Sequence, residues 1–160
     1  MNKTMITEHF SLAEMTRSDA LCYYNKKNGT DKRNDLCDGA FENLQNLCLQ
    51  LEKLRAHRGK MIRVTSGYRS EFVNKLVRGA AHSLHKKGLA ADLFIPMNEM
   101  ADLAAFAMEL PKAREVFMSV NKDGTPWLHF AISPEPCECC RVGIDYNGSV
   151  RYALHFKNNK

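Results

Sequence analysis

His85, Asp92 and His129 are the residues of this sequence whose types and spacing could do chemistry. Two imidazoles and one carboxylate form a donor set for zinc. Zinc binds such nitrogen and oxygen atoms at about 2.0–2.2 Å and, in hydrolytic sites, keeps one position open for water. His85 and Asp92 are too far apart in sequence to reach one metal from a single helix, where seven residues rise about 10 Å. A loop folding back onto its own strand brings them to one point, and Gly88 lets that loop turn tightly. Ala90 and Ala91 let backbone approach closely. His129, within Trp127-Leu128-His129-Phe130, would be supplied across a sheet.

Each residue also has a plainer reading. A histidine beside Trp127 fits a packed side chain as well as a ligand. Asp92, between Ala91 and Leu93, is harder to explain that way, because a buried carboxylate without a partner is costly. It calls for a cation: a metal, an arginine or a lysine. His82, three residues before His85, is a rival ligand. Arg69 can cap a helix or pair with Glu71.

The elements that must position these groups follow from pattern. Ser11, followed by Glu14, reads as the cap of a short helical turn over Phe10 to Glu14. Residues 24–38 are polar and turn-rich and read as a surface loop. Phe41, Leu44, Leu47, Cys48, Leu51 and Leu54 recur at three- and four-residue steps, predicting a helix over 39–57 that ends at Gly59. Strands are expected over 61–65, 90–95, 115–120 and 127–132, with Asp123-Gly124 turning the last two into a hairpin. A short helix is expected over 71–77, a loop over 78–89, and a helix over 99–109 capped by Asn98. Residues 134–140 read as a cysteine-rich loop. Val142–Tyr146 and Val150–Phe156, joined by Asn147-Gly148, read as a final hairpin. Helices first and hairpins late predict an α+β domain with a mainly antiparallel central sheet flanked by helices.

At 160 residues the chain is read as one domain, 1–160, able to bury a real core. No apolar run approaches the roughly 20 residues that span a bilayer, and no secretory signal is seen at the N-terminus. The expectation is a protein made in the cytoplasm, without membrane insertion, reaching the outside only if released. The net charge of +5 suits an anionic partner or simple solubility. Its basic residues are dispersed, with no aromatic-interleaved face, so no nucleic-acid partner is expected. Of the six cysteines, Cys48 reads as a buried apolar residue, and reduced thiols are the cytosolic default. A Cys22–Cys37 disulfide would need an oxidising setting. Cys137, Cys139 and Cys140 lack the paired spacing of a zinc ribbon but leave a second metal open.

The same segments resemble the M15 family of zinc peptidases, which includes D-alanyl-D-alanine carboxypeptidases, vancomycin-resistance D,D-dipeptidases and phage L-alanyl-D-glutamate endolysins. Ser83, His85, Gly88, Ala90 and Asp92 match the family pattern S-x-H-x-x-G-x-A-x-D, and Ser66 to Ser70 match its S-G-Y-R-S. Trp127, His129 and Phe130 resemble its W-x-H-F, and FSLAEMTRSDA resembles the opening of its phage branch. The resemblance covers most of residues 8–133. The hedgehog signalling domain shares this fold and metal site. The resemblance implies one Zn2+ on His85, Asp92 and His129, with Arg69 pairing a substrate carboxylate or supporting its carbonyl, and Ser83 in the substrate cleft. It implies hydrolysis of a peptidoglycan stem peptide by a monomer, with an endolysin as one form. A non-catalytic peptidoglycan-binding or phage structural module on the same scaffold is the alternative. Where many relatives carry a general base three residues before the last histidine, this chain has Pro126. Asp123 and Glu115 are the other upstream carboxylates, and the base stays unassigned.

Overall fold

The computed structural model describes residues 4–146 and 149–157. The longest helix, α3 (Ala40–Arg58), follows α1 (Leu12–Met15) and α2 (Asp19–Asn28). Its stripe of Leu44, Leu47, Cys48, Leu51 and Leu54 is completely buried. Each of these leucines contributes roughly 1.5–3 kcal/mol by leaving water. Gly59, in left-handed backbone, ends the helix by returning its N–H to Ala56 and Arg55. α5 (Met97–Glu109) turns Met100, Leu103, Ala104 and Ala107 onto the same core.

The other face of that core is a six-stranded sheet. Its strands are β1 (Arg63–Ser66), β2 (Ala90–Phe94), β3 (Ala113–Val120), β4 (Pro126–Ile132), β5 (Cys139–Tyr146) and β6 (Ser149–Phe156), in the order β1-β2-β4-β3-β5-β6. Every pairing is antiparallel except β3 with β5, which is parallel. The α+β, mainly antiparallel expectation therefore holds. Because side chains alternate along a strand, Leu93, Leu128, Phe130 and Val116 enter the core, while Asp92, His129 and Phe117 point to the opposite face. One row of partners runs Ser66–Asp92–His129–Phe117–Gly143–Tyr152 across all six strands.

Several boundaries differ from the sequence reading. Residues 24–28 belong to α2, so the 24–38 loop begins only at Gly29. Ser18 caps that helix by accepting from Leu21 N–H, and the polar run is its solvent face. Helix α5 starts at Met97 behind Pro96, with Asn98 inside it and not at the cap; proline supplies the backbone angle in place of a capping side chain. The 134–140 loop ends early, since Cys139 and Cys140 already pair with Phe156 and His155. Residues 78–89 contain a 3-10 turn, Leu84–Lys87. The Asn147-Gly148 turn lies outside the described residues, though the hairpin it was expected to close is present. Among the described residues, no helix is long and apolar enough to cross a membrane.

The segment before α1 is pinned to α3 through one carboxylate. Glu52 accepts from the Thr7 hydroxyl at 2.7 Å and the His9 backbone N–H at 2.9 Å, and meets His9 Nδ1 at 2.8 Å. Burial raises its pKa, but these bonds from Thr7 and His9 lower it more, so the net shift is downward. A carboxyl lowered in the folded state contributes stability above its ordinary value, and that contribution is lost as pH falls through the folded one. Glu52→Gln should cost about 1 kcal/mol at neutral pH. Urea midpoints of variant and wild type should converge as pH falls below the ordinary carboxyl value and the Glu52 carboxyl takes up its proton; a gap independent of pH would contradict this account.

Candidate metal centre

The site begins with the arm from Ser66 to Ser70, which leaves β1 and enters α4 (Glu71–Leu76). Several of its backbone groups are bonded to other elements. Tyr68 N–H donates to Met15 at 2.7 Å and Arg69 N–H to the His85 carbonyl at 3.1 Å. Asn34 ties the rest: its Nδ2 donates to the Thr16 and Tyr68 carbonyls, both at 2.9 Å, and its Oδ1 accepts from Ser70 N–H at 2.7 Å. Gly67 packs so closely that a Cβ there would collide with the Met15 carbonyl oxygen. Its own carbonyl accepts from His85 Nδ1 at 2.7 Å.

His85 sits in the 3-10 turn before Gly88, whose left-handed backbone (φ 74°) sends the chain into β2. Asp92 is two residues into that strand, and His129 is its direct register partner on β4. The seven-residue spacing therefore closes as a loop folded over its own strand, and the third group arrives across the sheet. His85 Nε2 lies 3.3 Å and His129 Nδ1 2.9 Å from the same oxygen, Asp92 Oδ1. The three donor atoms all lie within 4.8 Å of one another and could hold a metal ion.

The donor chemistry fits zinc. His85 spends Nδ1–H on Gly67 and so turns the lone pair of Nε2 toward Asp92, the arrangement in which a neutral imidazole binds a metal. Two such nitrogens with one carboxylate oxygen match the three-ligand sets that leave a position open. The electrostatics favour positive charge here. Burial raises the Asp92 pKa, but the His85 and His129 imidazoles lower it further, and the carboxyl lies far below its ordinary range. Burial lowers the pKa of His129, yet Asp92 and Glu115 raise it more, pushing it up to about 9. Glu115 is itself lowered: burial acts upward, but His129 and Arg141 outweigh it.

Arg69 is drawn into this centre. Its Nη2 donates to Asp92 Oδ2 at 2.5 Å and its Nε to Ser66 Oγ at 2.8 Å, while Glu71 pairs with Lys86 and Lys75 instead. The cation expected for Asp92 is thus an arginine on one oxygen, with the histidines on the other. Ser83 is half-buried at the head of the 3-10 turn, and its side chain makes no capping bond. His82 is exposed and outside the ligand group. Asp123 is exposed and folds its carboxylate onto Thr125 N–H in the turn.

The cysteines stand apart. All six are free thiols, Cys22 and Cys37 exposed among them. Cys137 Sγ bonds the Ala113 carbonyl at 3.0 Å. Burial pushes the Cys140 thiol up to about 12, and a protonated thiol is a poor metal ligand. Among the described residues, no metal-holding group includes a cysteine. Sequence reasoning missed Asn34, the Gly67 carbonyl and Arg141, and did not connect Glu115 with His129. The alternation of Glu115, Phe117 and Ser119 was a usable signal for a shared face; nothing in the polar loop marked Asn34.

Gly67→Ala should force the arm off Met15 and pull its carbonyl away from His85. The expected result is a loss of roughly 1–3 kcal/mol in a urea melt and about tenfold weaker metal binding by chelator competition. Unchanged metal binding in the folded variant would separate the Gly67 carbonyl from the site.

A family model described as Peptidase M15 matches residues 8–123, more than half of the 160 residues. No curated protein matches the chain. The family match takes in Arg69, Ser83, His85 and Asp92 and stops before His129, whose place in the cluster follows from its register with Asp92. The chain belongs to the peptidase M15 family.

Proposed function

We propose that this chain is a zinc-dependent peptidase that hydrolyses peptide bonds in the stem peptides of bacterial peptidoglycan. The observation that carries the reading is the convergence of His85 Nε2, Asp92 Oδ1 and His129 Nδ1 in a member of a peptidase family. Zinc bound there supplies Lewis-acid polarisation of the scissile carbonyl and activation of water.

The protein's own groups do the rest. Gly67 fixes the His85 ring, and Arg69 holds the Asp92 oxygen that faces away from the histidines. A guanidinium carries five N–H donors, and two of them go to Ser66 and Asp92. The remaining fork is suited to a substrate carboxylate or carbonyl, and stem peptides are rich in carboxylates. Ser83, with its hydroxyl unspent on capping, belongs to the same substrate side. The net charge of +5 favours an anionic wall. An endolysin, released onto the wall from the cell that makes it, is the form this activity would take.

One observation favours a second reading, a non-catalytic wall-binding module on the same zinc scaffold. Pro126 stands where a general base would be expected. Among the described residues, the carboxylates paired with the two histidines are Asp92, itself a ligand, and Glu115, on the far nitrogen of His129.

Protein loaded to about one zinc per chain should release new amino groups from purified peptidoglycan. Chelation or His85→Ala should lower the rate at least a hundredfold, since losing a ligand costs no less than losing a supporting group. Zinc-loaded wild type that sediments with walls but releases nothing would decide for the binding module. Protein that takes up no zinc would sink both readings.

A further inference from the structure

On the side away from Asp92, His129 meets Glu115 and Phe117 of β3, which are held in turn by Arg141 of β5 and Tyr152 of β6. Glu115 of β3 is only 16% exposed, and its Oε2 lies 3.4 Å from His129 Nε2, an ion-pair separation. The other oxygen, Oε1, accepts from Arg141 Nη2 at 2.9 Å. Arg141 is the direct β5 register partner of Glu115. Its guanidinium carbon lies 5.1 Å from the Phe117 ring centre and 4.9 Å from that of Tyr152, so it is held by two rings as well as by Glu115. Phe117 in turn stacks on His129 at 5.1 Å and 15°, and Tyr152 meets Phe117 edge-on at 5.3 Å. The segment that supplies Arg141 and Tyr152 lies wholly beyond residues 8–123, the part matched by the family.

The two candidate ligand histidines present different nitrogens. His85 gives up Nδ1–H to Gly67 and turns Nε2 inward. His129 does the reverse, with Nδ1 toward Asp92 and Nε2 toward Glu115. A neutral imidazole has one proton, and the acceptor facing one nitrogen decides which nitrogen keeps its lone pair. An acceptor on the outer nitrogen also sets the plane of the ring and raises its basicity. Glu115 is the group placed to do this for His129, and Arg141 keeps the Glu115 carboxylate from swinging to solvent.

We propose that Glu115 is a positioning residue for the metal centre: anchored by Arg141 of the C-terminal hairpin, it holds the proton of His129 on Nε2 and so presents Nδ1 to the metal. The hairpin is then a working part of the metal site. Glu115 acts through His129 and not on the substrate. The inference rests on the zinc reading above, and its test is made on metal binding without reference to catalysis.

Zinc affinity of the full-length protein is measured by competition with a chromophoric chelator, for wild type, Glu115→Ala, Glu115→Gln and Arg141→Met. Glu115→Ala should weaken binding about 10–100-fold. Glu115→Gln, which keeps an acceptor oxygen, should recover part of that loss, and Arg141→Met should fall between wild type and Glu115→Ala. Long-range 15N spectra of the zinc-loaded protein should show His129 protonated at Nε2 in wild type and lose that single signature in Glu115→Ala. A merely structural role would lower the urea midpoint of the metal-free protein and leave the His129 signature intact. If Glu115→Ala does not fold, the Gln and Met variants carry the same comparison. Zinc binding within twofold of wild type in the folded variants, with the His129 signature unchanged, would overturn the proposal and leave the peptidase reading standing. Wild type that binds no zinc would overturn both.

Discussion

The structure depends on keeping one carboxylate ionised out of water. Asp92 lies on a strand whose flanking residues Ala91 and Leu93 are completely buried, where an unpaired charge would cost several kcal/mol. Three elements converge to prevent that. The arm after β1 brings Arg69 to one oxygen, and the 3-10 turn and β4 bring His85 and His129 to the other. A lone salt bridge would explain one oxygen. Two imidazoles on the second oxygen, each with its remaining nitrogen facing a separate acceptor, make a group that could hold a metal ion. That arrangement links the fold to the chemistry.

The register of the sheet turns this local need into a global one. Asp92, His129, Phe117, Gly143 and Tyr152 form one row across five strands. Slipping β4 by one residue would send His129 into the core and Leu128 or Phe130 into the site, since side chains alternate with period two. The buried partners on the reverse face, Leu93 with Leu128 and Ala91 with Phe130, therefore fix where the site can be. Core packing and donor geometry are set by the same pairing.

Much of this was legible in the sequence, for physical reasons. The periodicity of α3 and the Asp123-Gly124 turn gave the helix and the hairpin. Asp92 stood out because few arrangements explain a carboxylate between buried aliphatics, and its grouping with His85 and His129 followed from the family resemblance. What escaped was of two kinds. Asn34 works through three hydrogen bonds to backbone from a loop with no pattern, and its partners lie up to 36 residues away. Glu115 and Arg141 meet through the parallel pairing of β3 and β5, which skips over β4. Strands that follow one another in sequence invite hairpins, and a parallel neighbour brought in by a crossover leaves no local trace. The C-terminal half of α2 was missed because polar residues face solvent in a helix as readily as in a loop, and the start of β5 was missed because Cys139 and Cys140 pair with residues of β6 distant in sequence.

The missing base and the added hairpin bear on one another. In a site with a carboxylate three residues before the last histidine, that strand alone would furnish both ligand and base. Here β4 begins at Pro126, and the acidic group beside His129 comes from β3 at the far nitrogen. A carboxylate in that place can orient the ring but is separated by it from the inner nitrogen. On the proposed reading, the chain spends this half-buried acid on holding a ligand. It then adds Arg141, Phe117 and Tyr152 to keep that acid in place. On the reading proposed above, Glu115 serves the ring and not a reacting proton, and the general base stays unassigned.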